Sequence, residues 1–360
     1  MKENKIALKP CLEAHKTTYI VTFIFALMLL MGTTLLLPAP SLATQEYVFT
    51  GQTMGTTYSI KLISAKPLSK SLWQEKIDLR LKQVNARLSM YQKDSELSRF
   101  NAAPKDQIFR VSADFYQVLE QCRRLHTLTS GAWDGTVKPL VDLWGFGTKG
   151  RRDTPPKPAQ IETTLKSIGF DKLKIGDHLL TKTMPGITLD LGSIAKGYGV
   201  DEIARLIREG GIDNYLVEIG GELAGAGKNK HRKAWIVGIT NPEKGFLNSG
   251  LYKEVRLDNK AIATSGNYRN YFEKDGHTYS HIISPKTGYP VENGVVSASV
   301  ISDTCTWADG LATALMVMDV HQALALINSL ENTECLIIRQ DGRKRTALRS
   351  SGFKSYEIGF

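Results

Sequence analysis

Cysteine is scarce. Four occur in 360 residues, and Cys122, Cys305 and Cys335, the three beyond the N-terminal leader that holds Cys11, are widely spaced with no CxxC pair. That odd, scattered set excludes a disulfide framework and a cysteine zinc site, and buried small hydrophobes are the expected role. Long apolar runs are missing beyond the N-terminus, which excludes a multi-span membrane protein. The 31 Gly and 13 Pro follow no triplet period, and no repeat of fixed length appears. Net charge is +10, but residues 1–43 hold four Lys and two Glu, leaving +8 for the rest. The basic residues, among them Arg99, Lys138, Arg151, Lys196, Arg205 and Arg269, are scattered and form no stripe interleaved with aromatics. Nucleic acid is therefore not the expected partner, and a small anionic ligand fits better. No local spacing assembles a Ser/His/Asp triad or a His/Cys metal cluster.

What is present begins with Lys2, Lys5, Lys9 and Lys16, an apolar stretch from Tyr19 to Leu37, and then Pro38-Ala-Pro-Ser-Leu-Ala43. A basic start, an apolar core and small residues before a cut read as a secretory signal peptide over 1–43, with an uncleaved membrane anchor as the alternative. No Cys follows within a few residues to take a lipid. Residues 44–360 are read as one domain, exported to the periplasm or to the outer face of the inner membrane.

Within it, Tyr58–Ile63 alternates like a strand, and Ile77, Leu81, Val84 and Leu88 recur at helical spacing. Ser112 caps a second helix with the stripe Phe115, Val118, Leu119, Cys122 and Leu125, closed by Gly131. Arg151–Pro158 reads as a charged, proline-rich loop. Ile187–Leu191 reads as a strand running into a helix over 194–209, with Tyr215–Ile219 as the next strand. Asp275-Gly276 between Tyr268–Lys274 and His277–Ser284 predicts a hairpin. A strand over Val295–Ile301, helices over 304–318 and 320–330, and a strand over Cys335–Arg339 complete the pattern. Strands adjacent in sequence and helices in pairs give a mixed α+β fold with largely antiparallel sheets and flanking helices.

Four stretches carry chemistry. Asp190-Leu-Gly-Ser193-Ile-Ala-Lys196-Gly-Tyr-Gly199 puts glycines at a helix start, where backbone amides can approach a phosphate, and Lys196 adds charge. An ordinary helix start is the competing reading. Asp309 and Thr313 stand four apart on a helix, so a carboxylate and a hydroxyl share a face. On an otherwise apolar helix such a pair needs partners, and a hard cation such as magnesium, which keeps room for phosphate oxygens, is one; a solvated polar face is the other reading. His281, at the end of the hairpin, is a candidate general base or a structural histidine. Glu218-Ile-Gly220-Gly221-Glu222 ends a strand in two glycines, suiting close approach of a flat ring or ribose, or marking a plain bulge.

Together these stretches resemble the ApbE family of flavin transferases. The match is collinear: Thr53-Met-Gly-Thr56, Leu88-Ser-Met-Tyr91 with Asp94–Asn101, Gly131-Ala-Trp-Asp134-Gly-Thr136, Asp190–Gly199, Glu218–Glu222, Thr264–Tyr271, the His281 segment and Ala308–Thr313, about residues 48 to 345. The resemblance implies an ApbE-like fold and an enzyme that moves FMN from FAD onto a Thr or Ser hydroxyl of another protein and releases AMP. It implies FAD as substrate in a cleft lined by Met54, Met90, Tyr91, Gln92, Asp134, Lys196, Glu218, Gly220, Gly221 and Ile283. It implies a magnesium site from the Ser193 carbonyl, Asp309 and Thr313, and His281 as the catalytic residue. The implied partners are exported subunits of membrane redox complexes bearing an S/T-G-A-S/T-like motif. Ser193, Ser284 and Gly310 depart from the family's commoner residues. Hydrolysis of FAD to FMN and AMP, or flavin binding without catalysis, are the alternatives.

Overall fold

Alternating burial builds strands along much of the chain, and stripes at helical spacing build what covers them. The computed structural model describes residues 44–147, 150, 152–242, 250–268, 270–342 and 344–358. The leader over 1–43, Arg151 and Arg269 lie outside the described residues. β1 (Gln45–Thr53) turns through Met54 and Gly55, both at positive φ, into β2 (Thr56–Ser64). Two left-handed residues are what a tight hairpin turn requires. α1 (Lys70–Leu88) is capped by the Ser69 hydroxyl and buries Trp73, Ile77, Leu81, Val84 and Leu88. α2 (Glu96–Ala102), β3 (Phe109–Arg110) and α3 (Ala113–Leu128) follow, α3 with the Ser112 cap and the five-residue apolar stripe read from the sequence.

Next come α4 (Lys138–Leu143), α5 (Pro158–Leu165), β4 (Leu173–Gly176) and β5 (Leu179–Lys182). They lead to α6 (Ala195–Glu209), β6 (Asn214–Ile219) and β7 (Glu222–Ala226). β8 (Trp235–Thr240), β9 (Leu251–Leu257) and β10 (Lys260–Gly266) precede a short hairpin, β11 (Tyr271–Lys274) and β12 (His277–Ser280), which turns at Asp275-Gly276 as expected. β13 (Val295–Ser302), α7 (Cys305–Val317), α8 (Val320–Asn328), β14 (Glu334–Asp341) and β15 (Lys344–Arg349) close the domain.

Eight strands form one antiparallel sheet in the order β1-β2-β6-β7-β10-β13-β14-β15. Tyr58, Ile60, Leu62, Val217 and Ile219 pack from one face against Trp73, Ile77, Ile203 and Ile207 of α1 and α6. α7 lies over β10 and β13 on that face. The other face is covered by Trp235, Val237, Val255 and Leu257 of β8 and β9, which meet Ile63, Ile262, Ile301 and Ile338. α7 is buried almost all round, so it reads as an apolar helix with one buried carboxylate. Cys122, Cys305 and Cys335 are free and buried. Among the described residues no helix is long and apolar enough to cross a membrane.

Two expectations are corrected. Ile187–Leu191 is extended but joins no sheet: the Asn101 amide brackets Leu189, donating to its carbonyl (2.8 Å) and accepting its N–H (2.7 Å), while Asp190 N–H donates to the Gly135 carbonyl. Side-chain and loop acceptors replace a neighbouring strand. The hairpin is shorter than expected, because the chain leaves the ladder at Ser280.

Candidate active site

A cleft of about 860 Å³ opens between the β1–β2 turn, the C-terminal end of α1 and the start of α6. That volume lies in the range of cofactor pockets, roughly 300–1,000 Å³. Its walls include Gln52–Thr57, Asn85, Ser89–Gln92, Gly192, Ala195 and Lys196. Five expected site residues therefore meet here: Met54, Met90, Tyr91, Gln92 and Lys196. Tyr91 stands 77% exposed, an aromatic ring left bare at the cleft wall. Met54 sits at φ 50, a left-handed conformation that costs a non-glycine residue about 1 kcal/mol or more. Its side chain lies over Gly199, where a Cβ would come within 2.8 Å of Met54 Cε.

Lys196 carries the cleft into a buried polar cluster. Its Nζ lies 2.7 Å from Glu222 Oε1 and 3.9 Å from Asp309 Oδ1. Burial works against the lysine's charge, but Asp309 and Glu222 outweigh it, so Lys196 holds its proton well above the ordinary lysine value. Burial and the neighbouring Asp309 push Glu222 up to about 7, against the pull of Lys196. Burial also raises Asp309, opposed by Lys196 and the Gly197 N–H. Gly220 and Gly221, both at positive φ, turn β6 into β7. A Cβ on Gly220 would stand 2.7 Å from Thr56 and 3.4 Å from Lys196 Cδ. Glu218 accepts the Gly221 N–H (3.0 Å), and burial raises its carboxyl.

Within the Asp190–Gly199 stretch, Gly192 lines the cleft while Gly197 serves a crossing of two helices. Gly197 has no side chain because the Cys305 carbonyl occupies that space, 2.4 Å from where a Cβ would stand. Its N–H donates to Asp309 Oδ2 (3.0 Å), so it is committed to a carboxylate and not to a phosphate. The same bond sets Asp309 beside the start of α6, where Ser193 sits four residues before Gly197 and its hydroxyl accepts Trp133 Nε1–H (3.1 Å). Thr313, one turn beyond Asp309, meets the Ser265 hydroxyl of β10 at 3.1 Å. Asp201 accepts the N–H groups of Cys305 and Thr306 (2.8 Å each) and so caps α7. Gly310 faces Leu125, whose Cδ1 would lie 2.2 Å from a Cβ.

These donors fit a hard cation. Among the described residues no group of three or more His, Cys, Asp or Glu gathers. The expected set, the Asp309 carboxylate, the Thr313 hydroxyl and the Ser193 carbonyl, offers oxygen only, the donor chemistry of magnesium. The buried Glu222 Oε2 has no hydrogen-bond partner, so the cluster is not closed upon itself.

Asp134, Ile283 and His281 are among the expected site residues that lie outside the cleft's lining. Asp134 is buried, and its carboxylate accepts Thr136 N–H (2.7 Å), Thr136 O–H (2.6 Å) and Phe170 N–H (3.1 Å). It ties loops together. Ile283 packs with Leu140, Trp144, Ile161, Ile168 and Phe272 in a separate cluster. His281 is held from both its N–H (3.1 Å) and its Nδ1 (3.0 Å) by the Asn270 carbonyl, with Phe146 edge-on to its ring. A carbonyl only accepts, so Nδ1 carries the proton and Nε2 keeps its lone pair. Burial moves the His281 pKa below the ordinary histidine value. Glu222 and Ser265, which the sequence does not single out as site residues, stand against Lys196 and Thr313.

Fold and site thus define an α+β protein with a cofactor-sized cleft that ends on a half-buried lysine beside two buried carboxylates. A family model described as the ApbE family matches residues 54–337. The chain is 42% identical over 329 residues to the FAD:protein FMN transferase of Vibrio cholerae, covering 91% of this chain and 97% of that protein. It is 39% identical over 318 residues to the protein of that name from Haemophilus influenzae, covering 86% and 91%. The solved flavin transferase ApbE from Vibrio cholerae aligns with a TM-score of 0.80 at 40% identity, over 87% of this chain and 99% of that one. The apo Pseudomonas stutzeri flavinyl transferase ApbE gives 0.79 at 33% identity, over 87% and 97%. The chain belongs to the ApbE family.

Proposed function

We propose that this protein transfers FMN from FAD to a Thr or Ser hydroxyl of an exported protein, with magnesium, and releases AMP. The observation that carries the reading is the likeness of nearly the whole chain to FAD:protein FMN transferases, with a cleft that ends on Lys196 beside Asp309. In this reading the acceptor hydroxyl oxygen bonds to the FMN phosphorus, the bond from that phosphorus to the AMP oxygen breaks, and AMP leaves with the bonding pair. Lys196 binds and neutralises phosphate oxygens, the kind of charge placement that dominates phosphoryl transfer. Asp309, Thr313 and the Ser193 carbonyl would hold magnesium, which when bound supplies further charge neutralisation at the phosphates. His281, neutral at pH 7 with Nε2 unprotonated, accepts the hydroxyl proton. Tyr91, Met54 and Gln92 orient the flavin nucleotide in the cleft. Subunits of membrane redox complexes with an S/T-G-A-S/T-like segment are the proposed acceptors, and the leader over 1–43 would bring the enzyme to them, cleaved or as an anchor.

The test is an incubation of the purified chain with FAD, magnesium chloride and an acceptor domain, read by intact mass. FMN mass on the acceptor is the expected result. Free FMN with AMP would make the protein a pyrophosphatase, and unchanged FAD a binder. Asp309→Ala should lower transfer by roughly 100-fold or more; wild-type transfer in that variant would remove the metal assignment.

A further inference from the structure

Lys196 does not sit midway between its carboxylates. It lies at 2.7 Å from Glu222 Oε1, a direct ion pair, and at 3.9 Å from Asp309 Oδ1, beyond hydrogen-bond reach. Asp309 has its other oxygen committed to the Gly197 N–H (3.0 Å). Glu222 and Asp309 are each 3% exposed. With both carboxylates ionised, two carboxylates and one ammonium would leave this cluster one negative charge in excess, and Glu222 Oε2 is buried and without a partner. Buried polar atoms are nearly always paired, and buried charges are paired or bind a cation. The placement is built into the backbone: Glu222 opens β7 directly after two left-handed glycines, and Gly220 leaves room for the Lys196 stem.

We propose that Glu222 is a positioning residue that holds the Lys196 ammonium off Asp309, so that Asp309 Oδ1 stays open to a divalent cation. This rests on reading Asp309, Thr313 and the Ser193 carbonyl as a cation site. With Gln at 222, Lys196 keeps only an uncharged acceptor in place of the ion pair, and the charge of Asp309 Oδ1, the nearest remaining carboxylate oxygen, draws it over, where it excludes the cation. Glu222 thus acts on the cation through the lysine.

The experiment measures Mn²⁺ binding to the full chain, without FAD or acceptor, from the electron paramagnetic resonance signal of free Mn²⁺. Wild type is expected to bind one ion and Glu222→Gln to bind it about 10-fold more weakly or worse, the scale of effects on groups that orient metal ligands. The decisive arm is the double variant Glu222→Gln, Lys196→Met. It should regain affinity relative to Glu222→Gln alone, because no ammonium is left to collapse onto Asp309, while circular dichroism of both variants matches wild type and so excludes misfolding as the cause. Unchanged affinity in Glu222→Gln overturns the inference, as does a double variant no tighter than the single one, or a wild type that binds no Mn²⁺. FMN transfer is read separately by mass, so a chain that shows the Mn²⁺ pattern but transfers nothing would sink the functional reading and leave this one standing.

Discussion

Gly197→Ala puts two physical effects of opposite sign against each other. Gly197 lies inside α6, and replacing a helical glycine by alanine stabilises a helix by about 1 kcal/mol when nothing obstructs the methyl group. Here the new Cβ would stand 2.4 Å from the Cys305 carbonyl oxygen, 2.7 Å from its carbon and 2.9 Å from Asp309 Cβ. Ordinary contact is about 3.5 Å, so α6 and α7 must part by roughly 1 Å. The obstructing atoms are backbone at the first residue of α7, whose N–H is fixed by Asp201 (2.8 Å), so they cannot rotate away as a side chain would. Overpacking of this kind costs about 1–3 kcal/mol. Stretching the Gly197 N–H bond to the Asp309 carboxylate forfeits about 1.5–3 kcal/mol more. The net expectation is a loss of about 3 kcal/mol, read as a lower urea midpoint at unchanged m-value. A variant as stable as wild type, or more stable, would mean that the two helices are not locked at this contact and would refute the reasoning.

Asp201→Ala should destabilise the protein by about 2 kcal/mol, because two N–H groups at the start of α7 and the Thr306 hydroxyl lose their acceptor; a urea titration checks it, and Mn²⁺ affinity should fall with it as Asp309 loses its fixed helix. For His281, a folded pKa below the ordinary value means that the ring stays neutral further into acid than in the unfolded chain. The unfolded state then binds more protons between the folded value and about 6.5, so the stability this ring contributes is present above about 6.5 and is lost as the pH falls through the folded value. An NMR titration of the ring Cε1–H resonance should give a midpoint below 6.5, and a midpoint at or above it would remove His281 as a base that is wholly neutral at pH 7.

Where one element supplies both the pattern and its partner, the structure was legible from the sequence. Ile77, Leu81, Val84 and Leu88 mark α1 because helical spacing and burial are the same fact there, and Ser112 and Asp275-Gly276 act within their own turns. The Asp309/Thr313 pair was visible because four residues along a helix is one turn. A local pattern misleads where a second segment decides what it means. Ile187–Leu191 alternates like a strand, yet its ladder partners are the side chain of Asn101 and the Gly135 carbonyl, which no local pattern announces. The bonds that Asp134 accepts from Thr136 and Phe170 likewise join loops that no local pattern pairs.

Glycine shows why the rest stayed hidden. A glycine needed for a left-handed φ and a glycine needed for close approach are written with the same letter, and only the first kind is announced by its neighbours. Gly55 and Gly276 complete two-residue turns between strands, so their role can be read locally. Gly197 and Gly199 have no such local mark: what stands in place of their side chains is the Cys305 carbonyl and the Met54 methyl group, residues more than a hundred positions away in both cases. In the Asp190–Gly199 stretch, read as a phosphate-approaching or an ordinary helix start, Gly197 marks a close crossing of two helices, and that contact is what brings Asp309 beside Lys196.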